Sequence, residues 1–313
     1  MSPGIYIHVP YCASKCAYCS FNSYETAGGV PAVYVDALIS DIGRSASAWR
    51  GAEFGSVYLG GGTPSLLGPG ELERLLAGIR ARYPVADGAE ITLEANPSSL
   101  SLPKLKAYRG VGVNRLSVGV QSLEARELHT LGRLHSPEEA TAALENARVA
   151  GFGNLSADVM VGVPGQTSMS LTATLSALIP LVSHVSCYLL SVDPGTRMAD
   201  MVRSGAVVLA DESLVVELYE TLGRELGRHG FARYEISNWA RQGWESRHNL
   251  TYWGRGEYLG LGAGASSYRR GERYRRIEEP GAYVDAALSG GDPVSFRETL
   301  SREDALAEEV MLS

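Results

Sequence analysis

The chain has 313 residues, a net charge of -7 and 45% apolar residues. That length buries enough surface for one large domain or two ordinary ones, and the composition excludes a disordered chain. The acidic balance excludes a general nucleic-acid binder. In chain order, short apolar runs predict strands at Ile5–Val9, Ser56–Leu59, Glu90–Glu94, Arg115–Val118, Leu155–Met160 and His184–Leu190. Between them, apolar spacing near 3.6 predicts helices at Val33–Ile42, Glu71–Arg82, Pro103–Tyr108, Pro137–Ala150 and Leu171–Leu181. Ser136-Pro137-Glu138-Glu139 is a helix start, and Gly151 closes the same helix. Such alternation indicates βα units and a parallel sheet. Six units before residue 200 suit either an open three-quarter barrel or a doubly wound sheet.

After residue 200 the rhythm changes. Residues 211–228 predict one amphipathic helix closed by Gly230, and a Gly- and aromatic-rich stretch runs from Tyr234 to Tyr268. The expected organisation is a core over residues 1–200 and a smaller mixed region over 201–313. Ser301 and Asp304 open a last helix as a capping box, with Leu306, Val310 and Met311 on one side. That helix reaches the final residue without a stop signal, so this region is expected to be truncated. The longest apolar stretch, residues 175–185, is broken by Pro180 and Ser183 and is too short to span a bilayer. The N-terminus lacks a basic start and an apolar run, so the expected compartment is the cytoplasm.

Three of the four cysteines fall within eight residues, as Cys12, Cys16 and Cys19 in a C-x3-C-x2-C string after the first strand. Three thiolates in one polar loop can hold three irons of a 4Fe–4S cluster and leave the fourth iron open to a chelating ligand. A closed structural zinc site needs four protein ligands, and Cys187 lies far away in an apolar run. Other candidates follow strands: Gly60-Gly61-Gly62-Thr63-Pro64 after the second, Glu94 after the third and Gln121 after the fourth, while Asp158 lies in the fifth. In βα barrels chemistry gathers at those strand ends. Each has a plainer use, the glycines as a tight turn, Glu94 and Gln121 as caps, Asp158 as a buried group.

The cysteine string, with Tyr18 before its last Cys, resembles the radical S-adenosylmethionine (SAM) superfamily. Strings such as IYIHVPYC, LGGGTPS, TLEANPSSL, LGRLHS, ADVMVGVPGQT and RHNLTYW extend the resemblance to the HemN-like group and its HemW heme-chaperone family. It implies an α/β fold, an open (β/α)6 three-quarter TIM-like barrel followed by a HemN-like accessory region. It also implies a 4Fe–4S cluster on Cys12, Cys16 and Cys19, and a cluster-bound SAM touching Tyr6, Gly61 and Glu94. A second SAM would lie against Tyr18, Gly62, Thr63, Gln121, Arg133 and Asp158.

The same resemblance implies a protein that binds heme and passes it to an acceptor protein, with His248 as a heme ligand. Tyr252 and Trp253 would pack the porphyrin, and Arg247 or Arg255 would pair its propionates. The residues alone read His248 more simply, as a loop histidine bonded to backbone. Two enzymatic relatives stay open: oxygen-independent coproporphyrinogen III dehydrogenase, and HemN-like methyltransferases and cyclopropanases. Phe21 stands where the dehydrogenase carries a further Cys, and only eleven residues precede Cys12, so dehydrogenase activity is not expected. The resemblance names neither the heme acceptor nor the electron donor.

Overall fold

The computed structural model describes residues 1–312. Strands β1 (Gly4–Val9), β2 (Phe54–Gly61), β3 (Val85–Ala95), β4 (Arg115–Gln121), β5 (Asn154–Val161) and β6 (His184–Leu189) pair in sequence order, all parallel. Helices α1 (Ala32–Ser45), α2 (Pro69–Arg82), α3 (Leu102–Gly110), α4 (Ala125–Leu131), α5 (Pro137–Val149) and α6 (Ser168–Leu178) cross between them. The expected open barrel of six β/α units is therefore present. α6 ends at Leu178, three residues before its expected end, because Pro180 has no N–H to continue the ladder.

The rest of the chain extends the same sheet. After α7 (Arg197–Arg203), α8 (Glu212–Arg228) and the short strand β7 (Ala232–Arg233), β8 (Asn238–Ala240) pairs antiparallel to β6, and β7 pairs antiparallel to β8. A helix of seven residues, α9 (Arg247–Trp253), follows. Strand β9 (Tyr258–Leu261) then pairs parallel to β1, a seventh parallel strand that the rhythm of the sequence did not announce. β10 (Ser266–Arg269), β11 (Glu272–Arg276) and, after α10 (Pro280–Leu288), β12 (Val294–Thr299) continue that edge antiparallel. The last helix, α11 (Arg302–Leu312), opens on the expected box, with Asp304 N–H donating to Ser301 Oγ and Ser301 N–H to Asp304 Oδ2. Leu306 and Met311 on it are exposed. No helix among the described residues is long and apolar enough to cross a membrane.

Strand alternation divides the core from the site. Ile5, Ile7, Val57, Leu59, Ile91, Leu93, Leu116, Val118, Leu155, Ala157 and Val185 are buried in one cluster with the apolar faces of the helices. The intervening residues are mostly polar: Tyr6, His8, Tyr58, Glu90, Glu94, Arg115, Ser117, Asp158 and Ser186. The inside of the barrel is thus a polar chamber and the outside its hydrophobic core.

One buried ion pair ties the C-terminal edge to the first helix. Arg276 of β11 donates to both carboxylate oxygens of Asp41 in α1 at 2.9 and 3.0 Å, and Tyr283 of α10 donates to Oδ2 at 3.0 Å. Removing only the cation would strand a buried carboxylate. Arg276→Met is expected to cost roughly 3–5 kcal/mol in urea unfolding, and Asp41→Leu combined with Arg276→Met to recover most of it.

Candidate functional site

The loop after β1 carries the three cysteines and is held on two sides. Gly62 N–H donates to Val9 O at 2.9 Å and Thr63 N–H to Tyr11 O at 2.8 Å, which clamps it to the turn after β2. On the other side Ala17 N–H donates to Leu131 O, and Met198 N–H of α7 donates to Ala17 O. Thr63 Oγ1 donates to Cys12 Sγ at 3.4 Å, and Arg133 Nη1 to Cys16 Sγ at 3.2 Å. Burial pushes the Cys12 thiol up, against the lowering effect of Thr63.

A cavity of about 370 Å³ opens at this mouth and takes in all three thiols. Tyr18 and Arg133 line it beside them, and the ends of β2, β3, β4 and β5 contribute Gly61, Gly62, Thr63, Glu94, Gln121 and Asp158. The structure thus brings eleven of the thirteen expected residues to one place.

The glycines have a local reason. A Cβ on Gly61 would lie 2.5 Å from His8, and one on Gly62 would lie 2.7 Å from the Tyr11 carbonyl oxygen. The bareness of Gly62 lets the loop clamp close. Glu94 caps no helix: its carboxylate accepts from Tyr58 OH at 2.7 Å and Gly61 N–H at 3.1 Å. Burial raises its pKa to about 7, partly opposed by the Tyr58 bond. Desolvation also raises Asp158, which accepts from Ser117 Oγ at 3.0 Å. Gln121 ends β4 with φ 68, a left-handed backbone unusual for this residue type, and its buried Oε1 has no partner among the described residues.

Tyr6 and His248 are not at this mouth. The Tyr6 hydroxyl shares a 2.8 Å hydrogen bond with His8 Nδ1, and its ring stacks with those of Tyr58 and His248. His248 is 1% exposed and lies at the opposite end of the barrel, against the start of β1. Its Nδ1 is bonded to Ser56 Oγ and its Nε2 to Tyr252 OH, each at 2.9 Å. Both nitrogens are engaged, so in this conformation none is free for a heme iron. Nor is it a loop histidine, since it belongs to α9 and bonds side chains. Burial, with the Arg115 charge adding, pushes its pKa down to about 3 and keeps the imidazole neutral.

Sequence reasoning missed Tyr58 and Ser117, which hold Glu94 and Asp158. Both lie within strands rather than at their ends, and the period-2 alternation that points them inward is the signal that could have found them.

The donor set suits a cluster. Three thiols share one mouth, the fourth cysteine, Cys187, is buried in β6, and among the described residues no three His, Cys, Asp or Glu side chains converge on a single ion. Three thiols at one mouth are the ligands that a 4Fe–4S cluster held through three of its irons needs. The radical SAM superfamily pattern matches residues 6–178. The heme chaperone HemW of Mycobacterium tuberculosis (strain CDC 1551 / Oshkosh) is 38% identical over 313 residues, 99% of this chain and 80% of that protein. The chain belongs to the HemW family of the radical SAM superfamily. HemW of Escherichia coli (strain K12) is 39% identical over 83% of this chain and 68% of its own length. The mitochondrial radical S-adenosyl methionine domain-containing protein 1 of Bos taurus is 37% identical over 97% of this chain and 71% of its own. In fold, the chain resembles the coproporphyrinogen III oxidase HemN of Escherichia coli, with a TM-score of 0.85, 23% identity, and coverage of 99% and 75%. As a radical SAM protein it is an iron–sulfur, SAM-dependent type.

With His248 built into the barrel, His248→Ala is expected to cost about 2–4 kcal/mol in urea unfolding, for two buried hydrogen bonds and a stacked ring. Hemin titrated into the folded variant should give the same Soret position as with the parent.

Proposed function

We propose that this chain binds heme and hands it to an acceptor protein, using the upper cavity for a 4Fe–4S cluster and SAM. The observation that carries this is the 38% identity to a heme chaperone over 99% of the chain. Phe21 supports it: the side chain is 69% exposed at the rim of the cavity, where the resemblance puts the dehydrogenase's further Cys. The partners are heme, an acceptor and an electron donor, with cytoplasmic placement.

Cys12, Cys16 and Cys19 would ligate the cluster, whose chemistry when bound is to supply an electron and an open iron to SAM. Arg133 would balance thiolate charge at Cys16. Glu94, held by Tyr58 and the Gly61 amide, would accept the ribose hydroxyls of the cluster-bound SAM. A second SAM would use Tyr18, Gly62, Thr63, Gln121, Arg133 and Asp158. Gln121 Oε1 and Arg133 Nε, both without a partner among the described residues, support that use. These same open atoms favour one other reading, a radical SAM enzyme acting on a porphyrin, or a HemN-like methyltransferase or cyclopropanase.

Hemin titration under anaerobic conditions tests the proposal, with a saturable Soret shift as the expected result. Coproporphyrinogen III incubated with SAM and reductant should keep its mass. Absence of hemin binding overturns the proposal, and loss of two carboxyl groups from the substrate favours the enzyme.

The ligand assignment predicts about four iron and four sulfide per reconstituted chain. Cys16→Ala should lose most of that, and Cys187→Ala should keep it.

Glu94 gives a pH profile. Its pKa is raised, so the ionised form, which accepts the ribose bonds, fills only as pH rises through about 7. SAM affinity should therefore climb across that range and level off above it. Glu94→Gln should flatten the profile and weaken binding at high pH by roughly 1.5–3 kcal/mol, about 10- to 150-fold. Linkage runs the other way for stability. Glu94 favours the parent over Glu94→Gln most below its ordinary pKa of 4.5, and that advantage is lost as pH rises to about 7.

A further inference from the structure

Thr63 heads the short 3-10 turn Pro64–Leu66, a position from which a threonine oxygen ordinarily accepts a helix amide. Among the described residues its side chain receives no such bond. The hydroxyl instead donates to Cys12 Sγ at 3.4 Å, while the Thr63 backbone N–H is spent on the clamp to Tyr11 O. The pair is enclosed: Thr63 is 8% exposed and Cys12 is buried, whereas Cys16 and Cys19 are half-buried. The Cys16 sulfur accepts from the Arg133 guanidinium at 3.2 Å, and Ser23 Oγ stands 3.8 Å from Cys19 Sγ. Two hydroxyls lower the Cys12 thiol against its burial, Thr63 more strongly than Ser23. Water can replace a lost donor at the two outer sulfurs. At the buried Cys12 it is largely excluded, so removing the Thr63 hydroxyl leaves that sulfur poorly compensated.

We propose that the Thr63 hydroxyl tunes the reduction potential of the 4Fe–4S cluster, holding it higher through the hydrogen bond to Cys12. This rests on ligation by Cys12, Cys16 and Cys19, and not on heme. Hydrogen bonds to the sulfurs are among the quantities that fix such potentials, and the groups that orient a ligand tune the metal it holds. Reduction takes one electron from a donor, adds negative charge that the ligand sulfurs share, and moves no proton. An O–H dipole aimed at one sulfur therefore favours the reduced state over the oxidised one, and the burial of the pair limits screening of that dipole. The bond uses the hydroxyl's proton only. Its oxygen lone pairs stay open to a ligand in the mouth, so contact with a second SAM is compatible with it. Thr63 acts through Cys12, as a positioning residue.

The test is an anaerobic redox titration of the reconstituted full chain, with dithionite as reductant and the reduced cluster read by EPR. No SAM is added, so contacts of Thr63 to SAM do not enter. Thr63→Val keeps the backbone clamp and nearly the same side-chain volume, and removes the O–H. Its cluster should be about three- to tenfold harder to reduce, a midpoint lower by about 30–60 mV for one electron. Thr63→Ser should restore most of that shift. Iron and sulfide are counted in every sample. A parent chain that takes up no cluster overturns the ligand assignment and this proposal with it. A fully loaded Thr63→Val with the parent's midpoint overturns the proposal alone, as does a Thr63→Ser midpoint as low as that of Thr63→Val. Thr63→Ala decides by the same outcomes if Thr63→Val does not load. Loss of the cluster from both, with Thr63→Ser loaded, makes the hydroxyl a requirement for ligation and overturns its role in the potential.

Discussion

Two backbone hydrogen bonds set the geometry of the upper mouth: Gly62 N–H to Val9 O and Thr63 N–H to Tyr11 O. They hold the loop after β1 against the turn after β2, and the parallel register that pairs Val9 with Gly61 fixes where they form. The two backbones meet so closely at Gly62 that no side chain fits between them there. Once the loop is clamped there, the thiols can reach the ends of β3, β4 and β5. The same turn supplies the Gly61 amide that orients Glu94. A shift of this clamp would move the thiols and the carboxylate together, because both are referred to one turn.

The barrel inverts the usual arrangement of a small core. Its strands face apolar residues outward to the helices and polar residues inward. A polar interior is stable only where its groups are paired. Most are: Tyr58 with Glu94, Ser117 with Asp158, Ser156 with His184, Ser56 with His248. Gln121 and Arg115 keep unpartnered atoms, and both line a cavity.

The six parallel strands and the crossing helices were legible because each carries a period of its own. The antiparallel edges were not. β7 has two residues and β8 three, too short for any alternation to register, and β9 reads as a glycine-rich stretch until β1 supplies its partner. The mouth was legible from the rule of strand ends, which found Glu94, Gln121 and Asp158. The resemblance supplied Tyr18 and Arg133. Tyr6 lies three residues before the end of β1 and points into the barrel below the mouth, where Glu94 also lines the space. Tyr58 and Ser117 went unseen for the same reason: depth along a strand is a property of register, and register belongs to the neighbouring strands.

The string RHNLTYW shows how far a motif's chemistry depends on what encloses it. A helix of seven residues is too short to persist alone. α9 persists because Glu90 binds its first amides, Ser246 caps it by accepting from Asn249 N–H, and His248 reaches Ser56 across the floor. A neutral imidazole ligates iron through a lone pair. Here that lone pair belongs to one of two buried hydrogen bonds, so ligation would first break a bond and carry the ring out from beside Tyr58. Moving it would also uncover Arg115 and pull against the helix's anchor on Glu90. In this conformation, iron ligation by His248 would therefore cost one of the two hydrogen bonds that hold its ring in the barrel floor.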